Sequence, residues 1–154
     1  MRVARGWWGI VKEVARHLLR RPVVGIAAAA RTRDGRWLLI RRGDVDEWAL
    51  PGGTLEWGEP LRQAIERELA EEAGVEVLEL GGLSGVYSAP GRDVRFHAVT
   101  VVVHATVTEP QKPPANAVEV TDVGLFESSE LPPQLAHGMT CMLTDAMAGR
   151  QTWE

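Results

Sequence analysis

A single cysteine, Cys141, in a chain of 154 residues removes two classes of protein at once. An internal disulfide needs a second thiol and a structural zinc site needs clustered thiolates, so neither can hold this fold together. An excess of positive charge is also missing. With 17 Lys and Arg against 21 Asp and Glu, the net charge of -4 gives a phosphate polymer no global attraction, and no stable nucleic-acid partner is expected. A small anionic substrate therefore needs local help, either basic side chains or a metal ion. No apolar run reaches the length of a membrane span, and the basic, mixed N-terminus lacks the uninterrupted apolar core of a signal peptide. These absences lead to the expectation of a cytoplasmic protein. Hydrophobic residues at 45% and charged residues at 25% suit a folded globular chain rather than a disordered one, and the length suits one domain with a proper core.

The pattern along the chain predicts an amphipathic helix over 7–19, because Trp7, Ile10, Val11, Val14, Leu18 and Leu19 recur at helical spacing. We set residues 1–22 apart as an N-terminal helical segment and 23–150 as the domain proper. The helix is expected to pack on the core or on a second copy of the chain, not on a membrane surface. "VVGIAAAA" and "RWLLIRR" read as strands joined at Asp34-Gly35, a hairpin signal. "VEVLELGGLSGVYS" reads as strands interrupted by Gly81 and Gly82. "VRFHAVTVVVHATV" gives the longest strand signal, and "VEVTDVGLFE" gives another. Three prolines keep "EPQKPPANA" out of regular structure, and "HGMTCMLTDAMAG" reads as a closing helix ending at Gly149. The order of helix, strands, helix, strands and helix predicts a layered α/β domain.

The segment "GGTLEWGEPLRQAIERELAEEAGV", Gly52 to Val75, places three glutamates on a short helix bounded by Pro60 and Gly74. At 100° per residue Glu68 and Glu72 continue the face of Leu61, Ala64 and Ile65, with Glu71 at its edge. Like charges at these spacings repel, more so when buried, unless something positive lies between them. Two readings follow from the helix alone: a solvated acidic face with Arg62–Glu66 and Arg67–Glu71 pairs, or hard oxygen ligands for a divalent cation such as Mg²⁺ or Mn²⁺. Gly52 and Gly53 add to the second, since a glycine pair lets the backbone approach a bound group closely.

This stretch resembles the signature of the Nudix hydrolases: glycine, five residues, glutamate, seven residues, arginine-glutamate, an aliphatic, any residue, two glutamates, any residue, glycine and an aliphatic. Gly53, Glu59, Arg67, Glu68, Leu69, Glu71, Glu72, Gly74 and Val75 occupy those positions. The resemblance implies an α/β/α sandwich around a mixed sheet, a Mg²⁺ or Mn²⁺ cofactor, and hydrolysis of a nucleoside diphosphate linked to another moiety. It implies Glu68 and Glu72 as principal metal ligands, with a contribution from the Gly53 carbonyl. Glu71 is implied as a further ligand or as the group that orients or deprotonates water. The resemblance also implies that Arg67 organises the carboxylates by bidentate hydrogen bonding and that Glu59 sits near the site. Of two late acidic residues, Glu119 and Asp122, Glu119 is the better candidate general base. A homodimer is also implied, for which the N-terminal helix is the natural interface.

Pro90, fifteen residues after Val75, and the surrounding "YSAPGRD" look like the loop of the ADP-ribose pyrophosphatase branch. On that resemblance Arg92 and Arg95 are candidates to meet phosphate or ribose, and Trp48 and Tyr87 to stack on a base. A turn at Pro90-Gly91 explains the same residues without a substrate. Two alternatives remain on sequence grounds: a nucleoside triphosphate pyrophosphohydrolase with the same signature, and a non-catalytic nucleotide-binding module, against which the intact signature speaks. His97 and His104, at odd separation, have no Cys or His partner for zinc.

Overall fold

The computed structural model describes residues 12–15 and 21–154. Of the helix expected over 7–19, only 12–15 fall in that range, and they are helical; the rest of that expectation lies outside the described residues. The elements are β1 (Val23–Thr32), β2 (Trp37–Arg42), β3 (Trp48–Ala49), β4 (Gly52–Thr54), α1 (Leu61–Ala73), β5 (Val77–Tyr87), β6 (Ala98–Val107) and β7 (Val120–Phe126). A short 3₁₀ turn at Ala136–Gly138 leads into α2 (Met139–Met147), and β8 (Thr152–Trp153) ends the chain.

All the strands join one mixed sheet in the path β3-β2-β1-β6-β5-β8, with β4 also pairing β1 and β7 pairing β2. β1 lies parallel to β6 and antiparallel to β2 and β4. Among the described residues, α1 covers one face of the sheet and α2 the other. Ala64, Ile65, Leu69 and Ala73 of α1 pack with Ile26, Ala28, Leu38 and Ile40. On the other face Met142, Leu143 and Ala146 of α2 pack with Ala27, Ala29, Leu39 and Tyr87. The central run Ala27–Ala30 is at most 1% exposed, because helices cover both of its faces and small side chains let them come close. Leu69, fully buried, fixes α1 to the sheet with roughly 2–5 kcal/mol relative to alanine. The layered α/β fold expected from the order of elements is the one observed.

Three details differ from the sequence pattern. Gly81 and Gly82 do not interrupt a strand; β5 runs through them, with irregular register between Leu80 and Leu83 taking up the distortion. Residues 94–97 stay outside β6, which starts at Ala98. Gly52 and Gly53 belong to β4 itself, pairing Ala27 and Ile26.

Candidate active site

Helix α1 begins after Pro60, whose extended backbone serves as the N-cap, and stops at Gly74, which takes the left-handed conformation with φ 63°. Those two stops put Glu68 and Glu72 against β4, while Glu71 stands out in solvent. The Gly52 N–H donates to Glu72 Oε2 at 2.8 Å. Gly53 lies so near Glu68 that a Cβ there would be 2.3 Å from its Oε1.

Arg67 ties the group together. Its guanidinium donates both Nε and Nη2 to the Glu59 carboxylate at 2.9 and 3.0 Å. Its Nη1 donates to Glu68 Oε1 at 3.0 Å and to Glu71 Oε2 at 3.4 Å. The hydrogen bonds from Arg67 hold the Glu59 carboxyl below its usual range against some desolvation, and the same contacts raise the Arg67 pKa. Glu68 moves the other way, since burial pushes its carboxyl up and Arg67 offsets only part of this. Burial pushes Glu72 up to about 8, with Glu68 and Glu119 adding to the effect and the Gly52 N–H and Arg42 opposing it.

These side chains form one wall of a cleft of about 390 Å³, within the range of small-molecule sites. The cleft opens where β1 and β6 begin and β2 ends, with Val23, Gly25, Ala98 and Thr100 at its base. Arg42, Asp93, Arg95, Phe96 and His137 supply the far side, and Glu119 also reaches it. Glu119 further borders a hollow of about 70 Å³ shared with Glu68, Glu71 and Glu72.

Of the residues expected at a substrate, only Arg95 lines this cleft. Tyr87 is 1% exposed and belongs to the face covered by α2, where its hydroxyl donates to Asp145 Oδ2 at 3.0 Å and burial pushes its pKa to about 12. A base cannot stack on a ring packed in the core. Arg92 turns the same way: its guanidinium lies 5.3 Å from the Tyr87 ring centre, and its Nη1 donates to the Gly138 carbonyl at 3.3 Å. Trp48 packs edge-on against Phe126 at 4.9 Å. Asp122 pairs with Arg41 in the β2–β7 ladder and is not in the cleft. Sequence pattern alone missed Arg42, Asp93, Phe96 and His137. Arg42 read only as the end of a strand and His137 only as the start of a helix; the remaining two sat in the "GRDVRF" stretch without a spacing to mark them.

The donor set suits a hard divalent cation. Glu68, Glu71, Glu72 and Glu119 offer carboxylate oxygens only, and they border one small hollow. Among the described residues, no three acidic, His or Cys side chains already converge as a ligand set, because Arg67 stands between Glu68 and Glu71. The residues therefore fit such an ion in kind, and the side chains must turn to close on it.

A NUDIX domain match spans residues 19–145. This chain belongs to the NUDIX family. It is 41% identical over 73 residues to an ADP-ribose pyrophosphatase of Methanocaldococcus jannaschii, covering 46% of this chain and 43% of that protein. A putative 8-oxo-dGTP diphosphatase of Bacillus subtilis is 43% identical over 53 residues, covering 34% of this chain and 35% of that one. The matched part thus spans less than half the length of these curated relatives. Among solved structures, a MutT NUDIX hydrolase from Burkholderia pseudomallei superposes with a TM-score of 0.70 at 32% identity, over 82% of this chain and 98% of that one. The α/β/α architecture expected from the signature is the one these neighbours share.

Proposed function

We propose that the protein is a divalent-metal-dependent hydrolase that splits the diphosphate bond of a nucleoside diphosphate linked to another moiety. ADP-ribose or a related nucleotide sugar is the leading substrate, giving a nucleoside monophosphate and a sugar phosphate. The observation that carries this reading is the glycine-bordered carboxylate wall of α1, facing a cleft large enough for a nucleotide. A bound Mg²⁺ or Mn²⁺ supplies charge neutralisation to the diphosphate and acidifies water. Glu68 and Glu72 are its holders in this reading, with Glu71 and the Gly53 carbonyl beside them. Arg67 spaces the carboxylates through its Glu59, Glu68 and Glu71 contacts. Glu119, which lines the cleft, is in this reading the base that takes the proton from the attacking water, which bonds to one phosphorus while the bridging oxygen leaves on the other phosphate. The relative named for ADP-ribose supports the substrate, while the relative named for 8-oxo-dGTP favours triphosphate cleavage as the second reading.

A panel of ADP-ribose, other nucleotide sugars and nucleoside triphosphates, each with Mg²⁺ and with Mn²⁺ and with products identified, separates the two. AMP plus ribose phosphate is the expected product pair from ADP-ribose. Pyrophosphate release from a triphosphate as the dominant reaction rejects the leading reading.

The raised Glu72 pKa also sets a stability dependence. The folded state holds this proton up to about pH 8, whereas a freely solvated glutamate gives it up near 4.5. Its contribution to stability is thus full below about pH 4.5 and lost as pH rises through about 8 in the metal-free protein. A cation that needs the ionised carboxylate works against this loss, so the melting-temperature gain on adding Mn²⁺ grows from pH 5 to pH 8. Thermal unfolding with and without a chelator across that range measures it, and a gain independent of pH, or one unchanged in Glu72→Gln, removes Glu72 from the ligand set.

A further inference from the structure

The far side of the cleft is held from behind by a residue that does not line it. Asp44 stands on the turn between β2 and β3, and its Oδ1 accepts from Arg42 Nε at 2.9 Å. Its Oδ2 accepts from Arg42 Nη2 at 3.0 Å and from Arg95 Nη1 at 3.3 Å, and lies 3.8 Å from His137 Nε2. One carboxylate thus gathers three of the side chains that face the cleft, brought from β2, from the loop before β6 and from the 3₁₀ turn. Asp93 supports the same set: it accepts from Arg95 Nε at 3.0 Å and Nη2 at 2.7 Å, and lies 4.0 Å from His137 Nδ1. The turn that carries Asp44 is itself anchored, since the Gly43 N–H donates to the Glu119 carbonyl at 2.8 Å.

The charges in this group cancel. Two guanidinium groups, Arg42 and Arg95, face two carboxylates, Asp44 and Asp93. His137 has an 8% exposed side chain, and its Nε2 has no hydrogen-bond partner. Burial and the nearby Arg95 and Arg42 lower its pKa, against the pull of Asp93 and Asp44, which keeps the ring uncharged at neutral pH. Such a wall offers donors and acceptors but no net attraction for another anion. A triphosphate would bring its extra charge to a surface that does nothing to neutralise it, whereas a hydroxylated group finds hydrogen bonds without a charge mismatch.

Resting on the ADP-ribose reading above, we propose that Asp44 is a positioning residue that fixes Arg42, Arg95 and His137, with Asp93, as a hydrogen-bonding wall of no net charge. That wall makes the cleft select a neutral, hydroxyl-bearing group, rather than a further phosphate, at the second end of the substrate.

The test measures kcat and KM separately for ADP-ribose and for ATP, with Mn²⁺, in the wild type, Asp44→Asn and Asp44→Glu. In Asp44→Asn the wall gains one positive charge and loses a two-oxygen clamp. KM for ADP-ribose is expected to rise about tenfold with kcat within about twofold, while kcat/KM for ATP holds or rises. The specificity ratio then moves toward ATP by about tenfold or more. Asp44→Glu restores the charge and returns the ratio toward the wild-type value. Equal losses on both substrates, or an unchanged ratio, overturn the proposal, because a merely structural defect lowers both together. Should Asp44→Asn fail to fold by circular dichroism, Asp44→Ser makes the same charge change on this exposed turn and is read the same way. A wild type that prefers ATP overturns the ADP-ribose reading and this proposal together, and is told apart from the first failure because it appears without any substitution.

Discussion

Glu72→Gln is expected to lower kcat/KM by roughly a hundred- to a thousand-fold, the equivalent of several kcal/mol of lost charge stabilisation at about 1.4 kcal/mol per tenfold. The substitution is nearly isosteric and retains an oxygen able to accept the Gly52 N–H, so the contact between α1 and β4 survives. What it removes is the charge. A carboxylate in this corner is costly to the free protein, which is why its pKa rises to about 8, and a neutral amide relieves that cost. The melting temperature of the metal-free variant at pH 8 should therefore equal or exceed that of the wild type while turnover collapses. Activity assays and thermal unfolding on the same preparation check both halves. Full activity in Glu72→Gln ends the assignment of Glu72 as a metal holder.

Gly52→Ala carries a large expected loss of stability. Gly52 has φ 154°, and a Cβ there would lie 2.1 Å from the Ile26 carbonyl oxygen and 2.6 Å from Ala27 Cα. Neither neighbour is a side chain that can swing aside; both are backbone of the central strand. β4 must separate from β1, and the floor beneath Glu68 and Glu72 moves with it. A cost of about 3 kcal/mol or more is expected, a fall in melting temperature of roughly 6–12 °C for a chain of this size. Gly35→Ala is the matched control. It too has a positive φ, 94°, yet nothing lies within 4 Å of its added methyl, so it carries only the backbone strain of about 1 kcal/mol. If differential scanning calorimetry finds the two variants equally destabilised, the close approach of β4 to β1 is not what requires a glycine at position 52.

The comparison of sequence with structure divides along the range of the interactions involved. The acidic helix was legible because its information is local: 100° per residue decides that Glu68 and Glu72 share the face of Ala64 and Ile65, and the structure buries that face. Its ends were legible for the same reason, through Pro60 and Gly74. Leu61, grouped with the buried face, is instead 40% exposed because it stands in the first turn, beyond the reach of the sheet. The strands of the alanine-rich core were likewise legible, but not the continuity of β5 through Gly81 and Gly82. There, pairing with β6 outweighs the weak strand preference of glycine.

The substrate side was hardly legible at all. Arg92 and Arg95 are three residues apart in one irregular loop, and no periodicity says which faces the cleft. Arg95 does, because Asp93 and Asp44 hold it there; Arg92 does not, because Glu154, Tyr87 and the Gly138 carbonyl draw it to the opposite side. Of those partners, Asp44, Gly138 and Glu154 are remote in sequence and could not be matched to either arginine by spacing.

The sequence by itself determined the family and the carboxylate wall, since both rest on residues within one helix and the short glycine-bearing stretch before it, where geometry follows from chain distance. Only the tertiary structure decided what stands opposite that wall. Arg42, Asp44, Asp93, Arg95 and His137 meet because the sheet brings three separate connections to one end, and side chains so far apart in sequence are joined by packing and charge pairing rather than by any repeat in the order of residues.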